Sequence, residues 1–287
     1  MKRERTSTIL QEILLVILTI IIFIQIYYFV IGSLKTRSDI VQHPLLLTPE
    51  FLKNEFDVAA DKVKKINFIY VWNNIKMGKS LLNTAYITLI SLVGIVVFGS
   101  LAGFAISRIK RTAFEMYYAL LVAFMVIPFI GCLIPLVKLT DQLHVYGSPW
   151  AVILVQIAWN LPFSTFLFTG FMAALPKELE ESAYIDGCSM FGTYFKIFLP
   201  LLTPVISTCC IRAGVGIWND FLCTSTMVNQ VNTPTLMVGL SKFFGSRSTE
   251  YGYAFAGIIL ASLPMIILFI CLQKNFIKGL TAGAVKG

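Results

Sequence analysis

Charge is scarce in this sequence. Of its 287 residues only 13% are Asp, Glu, Lys or Arg, about half the share usual in a soluble domain, and 57% are hydrophobic. A soluble fold could not hide that much apolar surface. Side chains that do chemistry are also few. The two histidines, His43 and His144, lie far apart in polar connections, and the six cysteines show no CxxC or Cys/His ligand spacing. Cys132, Cys209, Cys210, Cys223 and Cys271 fall in apolar runs and Cys188 in a polar loop, so they read as free thiols that pack like small apolar groups. No GxxxxGK[ST] phosphate loop exists, which excludes nucleotide hydrolysis by that device. The net charge of +8 is spread over short loops without a dense basic stripe, so nucleic acid is not an expected partner.

What the chain does have is long apolar runs. A helix needs about 20 mostly apolar residues to cross a hydrocarbon layer about 30 Å thick. The first run, 13–34, follows Lys2, Arg3 and Arg5. It is too long for the core of a secretory signal and no small-residue cleavage site follows, so it reads as an uncleaved span after a cytoplasmic start at 1–12. Residues 35–79 turn polar, with Pro44, Pro49 and eight basic residues among five acidic ones, and read as an extracytoplasmic loop. Further spans are expected at 82–106, 117–139, 150–175, 201–228 and 253–272, within a core of 80–274. The expected fold is therefore an all-α polytopic membrane protein with about six transmembrane helices. Pro128, Pro135, Pro162 and Pro264 sit inside these runs, where a missing N–H kinks a helix. Such kinks serve either a pathway or packing. Lys and Arg counts are balanced between the two sides, but the short turn with Arg108, Lys110 and Arg111 favours the cytoplasm and puts both termini there.

Residues 175–200 are too polar to span and too patterned for a slack linker. Pro176 suits a first helical turn, and Glu178 complements the positive end of a helix. Leu179, Ala183, Gly187 and Phe191 recur every four residues, so a helical course aligns small and apolar groups on one face. Glu178, Glu181 and Asp186 lie toward another. The pattern predicts a short surface helix, a bend at Gly187 and a second helix returning at Pro200. On periodicity alone, an interfacial connector explains the segment equally well.

The run Glu181-Ser182-Ala183-Tyr184-Ile185-Asp186-Gly187, followed after nine residues by Ile197-Phe198-Leu199-Pro200, resembles the coupling motif of permeases in binding-protein-dependent ABC importers. That motif is Glu-Ala-Ala, three residues, Gly, nine residues, Ile-x-Leu-Pro; the match departs at Ser182. Resemblance extends from about residue 80 onward and points to the carbohydrate-uptake branch, similar to the second permease of the maltose system. It includes Ala105-Ile106-Ser107-Arg108, Trp218-Asn219-Asp220-Phe221, 235–240 and the terminal 279–287. Tyr251 and the 35–79 loop depart from the family pattern.

The resemblance implies a type I importer permease fold in a bacterial or archaeal inner membrane. It implies that Glu181, Ser182, Ala183, Asp186, Gly187, Ile197, Leu199 and Pro200 dock on a cytoplasmic ATPase, with small residues allowing close approach. The implied partners are a sister permease, two ATP-binding cassette ATPases, an extracytoplasmic solute-binding protein and membrane lipid. ATP and Mg belong to the ATPases, and no cofactor to this chain. The cytoplasmic tail, 275–287, is expected to reach into the ATPase interface.

In the fifth run, Arg212, Asn219 and Asp220 must face protein or water, because a charge at the bilayer centre costs about 2.5 to 3.5 kcal/mol even on lenient scales. Asn219 and Asp220 could hydrogen-bond sugar hydroxyls while Trp218 and Phe221 offer flat faces to a pyranose. A structural polar cluster is an equal reading. Rival functions are a permease for a non-sugar solute, a secondary transporter and an intramembrane enzyme. The second would show internal repeats and buried ion sites; the third needs an acid, base, nucleophile or metal set within the spans. Neither pattern is present in the sequence.

Overall fold

The computed structural model describes residues 2–46, 67–109, 111–245 and 250–284. The middle of the 35–79 loop and the end of the tail, 285–287, lie outside the described residues. Among the described residues the elements are helices, joined by one isolated parallel bridge between Gly147 and Val228. In chain order they are α1 (Lys2–Ser33), α2 (Arg37–Gln42), α3 (Asn67–Asn74), α4 (Met77–Arg108), α5 (Thr112–Phe124), α6 (Phe129–Gln142) and α7 (Pro149–Ala173). There follow α8 (Glu178–Ile185), α9 (Met190–Leu201), α10 (Thr203–Trp218), α11 (Leu222–Met227), α12 (Leu236–Ser241) and α13 (Tyr251–Ala284).

Among the described residues four stretches are long and apolar enough to cross a membrane: Gln11–Ser33, Met77–Arg108, Pro149–Ala173 and Tyr251–Cys271. Two helix pairs pass the same test together but are bent, α5 with α6 by 111° and α9 with α10 by 71°. Counting each bent pair as one span gives six. The expected single span at 117–139 is thus two helices. The break falls at Pro128, which offers no N–H and holds an extended ψ of 129°. Pro135, by contrast, is absorbed inside α6. The tail differs in form from a separate segment, because α13 runs on to Ala284. Extending an existing helix avoids the cost of a new nucleus.

The chain divides into two units, Met1–Gly78 with Gly239–Leu263 and Lys79–Val238 with Pro264–Gly287. In the first, part of the 35–79 loop is built around Lys35, whose side chain is fully buried. Its Nζ donates to the carbonyls of His43 (2.5 Å) and Leu46 and lies 3.8 Å from Asp39 Oδ2. A buried ammonium requires such partners. Asn67 Nδ2 ties α3 to the same strap by donating to the carbonyls of Ser33 (2.7 Å) and Lys35 (3.0 Å).

The second unit has its core where α4 and α7 meet α9 and α10, around Ile95, Phe168, Met172, Phe198 and Leu202, each wholly buried. Glycines let α4 approach α7. A Cβ on Gly99 would stand 2.5 Å from Ser164 Oγ, and one on Gly103 2.8 Å from Phe168 Cβ. Small residues at a helix contact are how spans pack without a hydrophobic driving force between them. Lipid explains the remaining apolar surface, such as the outer faces of α1 and α4.

Candidate functional site

Two features of the second unit bear on function, an elbow between α8 and α9 and a cavity between α6, α7 and α10. The elbow has the expected bend at Gly187, and its cause is backbone geometry. Asp186 caps α8, Gly187 adopts φ +75°, and Cys188 N–H reaches back to Ala183 O (2.9 Å) while Gly187 N–H bonds Tyr184 O (3.0 Å). This is the paired-bond helix stop that favours glycine at its left-handed position. Ser189 then starts α9 by accepting from Gly192 N–H at 3.2 Å.

The elbow presents its apolar side chains outward. Tyr184 is 83% exposed, Ile185 82% and Phe191 70%, whereas Ala183 is buried. Glu181, Ser182 and Asp186 are exposed beside them. Ser182, the departure from the motif, turns its hydroxyl onto Glu178 O (2.7 Å) of its own helix. Ile197 and Leu199 are half-buried and Pro200 is exposed, while Phe198 between them is wholly buried against Phe104, ring centroids 5.2 Å apart. Tyr194–Phe198 forms a π-turn within α9, and Tyr194 OH meets Ser100 Oγ at 2.7 Å. At the elbow's base the structure brings Glu180 to Arg108, a pair that periodicity did not single out.

The cavity, about 390 Å³, is lined by Phe129, Gln156, Trp159, Asn160, Arg212, Gly216, Ile217 and Asp220. Gln156, Trp159 and Asn160 share a face of α7 because residues three and four apart align. Asn160 Nδ2 donates to Gln156 O (2.8 Å) and Oε1 (3.3 Å), and its Oδ1 accepts from Arg212 Nη1 (3.3 Å). The Arg212 guanidinium also lies 3.9 Å from the Phe163 ring centroid, and Trp159 packs edge-on against Phe129 at 4.9 Å. A second cavity of about 310 Å³ shares Trp159, Asn160 and Arg212 with the first.

Of the four residues Trp218, Asn219, Asp220 and Phe221 expected at a pathway, Asp220 lines this cavity. Its carboxylate is also engaged structurally, accepting from Thr224 N–H (2.8 Å) and Cys223 N–H (3.2 Å) at the start of α11. Trp218 is buried, and Asn219 and Phe221 are exposed but not among the cavity's lining. The aromatic faces are instead Phe129 and Trp159. The sequence signal for these was two amides four residues apart, Gln156 and Asn160, in an otherwise apolar run.

Paired bent spans, an exposed elbow and a polar cavity walled by aromatic rings define a multi-pass membrane transport component. Residues 95–282 match the family described as binding-protein-dependent transport system inner membrane components, and the chain belongs to that family. It is 34% identical over 266 residues to the melibiose/raffinose/stachyose import permease protein MelC of Bacillus subtilis, covering 92% of each chain. It is 30% identical over 289 residues to the arabinooligosaccharides transport system permease protein AraQ of Halalkalibacterium halodurans, covering 99% of this chain and 100% of that one. Its fold matches a crystal structure of a bacterial ABC transporter involved in import of the acidic polysaccharide alginate, with TM-score 0.77, 18% identity, and coverage of 96% and 98%.

Proposed function

We propose that this chain forms one half of the translocation pathway of an ATP-driven importer for a sugar or oligosaccharide. The observation that carries the reading is the chemistry of the 390 Å³ cavity. Two amides, a guanidinium and a carboxylate stand beside two aromatic rings, and the lining carries one basic and one acidic residue, Arg212 and Asp220. A neutral polyol needs this mixture of donors, acceptors and flat apolar walls. Relatives named for oligosaccharide import support the substrate class.

In this reading both termini face the cytoplasm and the 175–200 elbow docks on an ATPase through Glu181, Ser182, Ala183, Asp186 and Gly187, with Ile197, Leu199 and Pro200 seating the return helix. A sister permease completes the pathway, two ATPases hold ATP and Mg, and an extracytoplasmic binding protein delivers the solute. Asp220 contributes to the cavity wall, and the neighbouring Trp218, Asn219 and Phe221 hold no place in its lining.

Gly216 provides the test. Among the described residues nothing beyond its own helix backbone and chain neighbours lies within 4 Å of a Cβ placed there, and the residue lines the cavity. Gly216→Phe should project its ring into the cavity and abolish sugar uptake by the reconstituted complex, with assembly checked by yield, while Gly216→Ala leaves uptake near wild type. Full uptake by correctly assembled Gly216→Phe would place the pathway elsewhere.

A further inference from the structure

The elbow helix α8 has little to hold it. Ala183 is its one buried residue, and Glu181, Ser182, Tyr184, Ile185 and Asp186 are exposed. A helix so lightly packed would swing rather than transmit a displacement, unless something ties it to the spans.

Arg108 supplies the tie. It is the last residue of α4, and its side chain is only 6% exposed. Nη2 donates to the carbonyls of Met172 (2.8 Å) and Leu175 (3.2 Å) at the end of α7, where the negative end of the helix dipole favours a cation. Nε lies 3.2 Å from Glu180 Oε1 in the first turn of α8, an ion pair out of hydrogen-bond alignment. The guanidinium carbon stands 4.9 Å from the Phe198 ring centroid in α9. One planar fork thus meets α7, α8 and α9 from the end of α4. A lysine ammonium, a point charge, could not occupy all four contacts at once.

We propose that Arg108 is the positioning residue that makes the elbow move as one body with α4 and α7, and that the neighbouring glutamates divide the work. Glu180 faces inward to Arg108; Glu181 faces outward to the partner. The inference rests on the coupling reading of residues 175–200.

The test uses the full complex in proteoliposomes, with solute uptake and ATP hydrolysis measured together. Glu180→Gln and Arg108→Lys should each lower solute carried per ATP at least several-fold. The double variant should be no worse than the poorer single, because both remove the same link. Glu180 is about one-third exposed, so its variant should assemble at wild-type yield and decide the matter even if Arg108→Lys does not. A purely structural role would lower yield and leave the ratio per assembled complex unchanged. Gly187→Pro serves as the control for the elbow itself. If Gly187→Pro uncouples and Glu180→Gln does not, the Arg108 tie is overturned and the coupling reading stands. If neither uncouples, both fall.

Discussion

Gly187 offers the cleanest perturbation of the elbow, because its requirement is conformational and nothing else. Its φ is +75°, and among the described residues, its two chain neighbours aside, nothing lies within 4 Å of where a Cβ would stand. Alanine there meets no clash, so its cost is the left-handed backbone alone, about 1–2 kcal/mol. Such a cost lowers the population of the elbow conformation by roughly five- to thirtyfold relative to competing turns. Asparagine visits this region more readily and should cost less. Proline, held near φ of about −65°, cannot adopt it at all. Solute carried per ATP should therefore fall in the order Gly, Asn, Ala, Pro, with assembly of the complex unchanged. The assay is parallel uptake and binding-protein-stimulated ATPase activity in proteoliposomes. Wild-type coupling in Gly187→Pro, or an Ala variant worse than Pro, would refute the reasoning that geometry at this residue sets coupling.

Asp220→Asn should keep one acceptor for the α11 amide groups and assemble normally, yet alter uptake rate or selectivity; Asp220→Ala should also lose about 1 kcal/mol of local stability, read as a lower thermal midpoint of the purified complex. Gly103→Leu should fail to give stable complex, since its Cβ would meet Phe168 Cβ at 2.8 Å and Thr169 N at 3.0 Å, as checked by size-exclusion yield. The tail after residue 275 should become protected from protease when ATPases bind; equal cleavage with and without them would count against a docked tail.

Much of this architecture was legible because the bilayer imposes a strong rule. Apolar runs of the required length located the α1, α4, α7 and α13 spans, and fixed spacing located the elbow, whose Gly187 sits where a left-handed residue was needed. The break between α5 and α6 was harder to read, because a proline in an apolar run marks either a kink or a full turn and only tertiary packing decides. Lys35 looked like one more charge in a polar loop; its burial depends on carbonyls several residues away. The cavity was half legible. Arg212 and Asp220 stood out as costly polar groups in a span, whereas Trp159 and Asn160 were hidden by their apolar neighbours. Trp218 carried the aromatic signal by type but is turned into the core. Arg108 was visible as part of a family-like run, but its four contacts come from segments distant in sequence.

The central claim is tested most directly by purifying the tagged chain with its partners from its native membrane, reconstituting the complex with its binding protein in proteoliposomes, and following a labelled neutral oligosaccharide. The account predicts accumulation that requires ATP, stops when this chain carries Gly216→Phe, and is outcompeted by unlabelled oligosaccharide but not by amino acids. Accumulation driven by an ion gradient without ATP, or ATP-dependent uptake of an amino acid with no response to sugars, would contradict it.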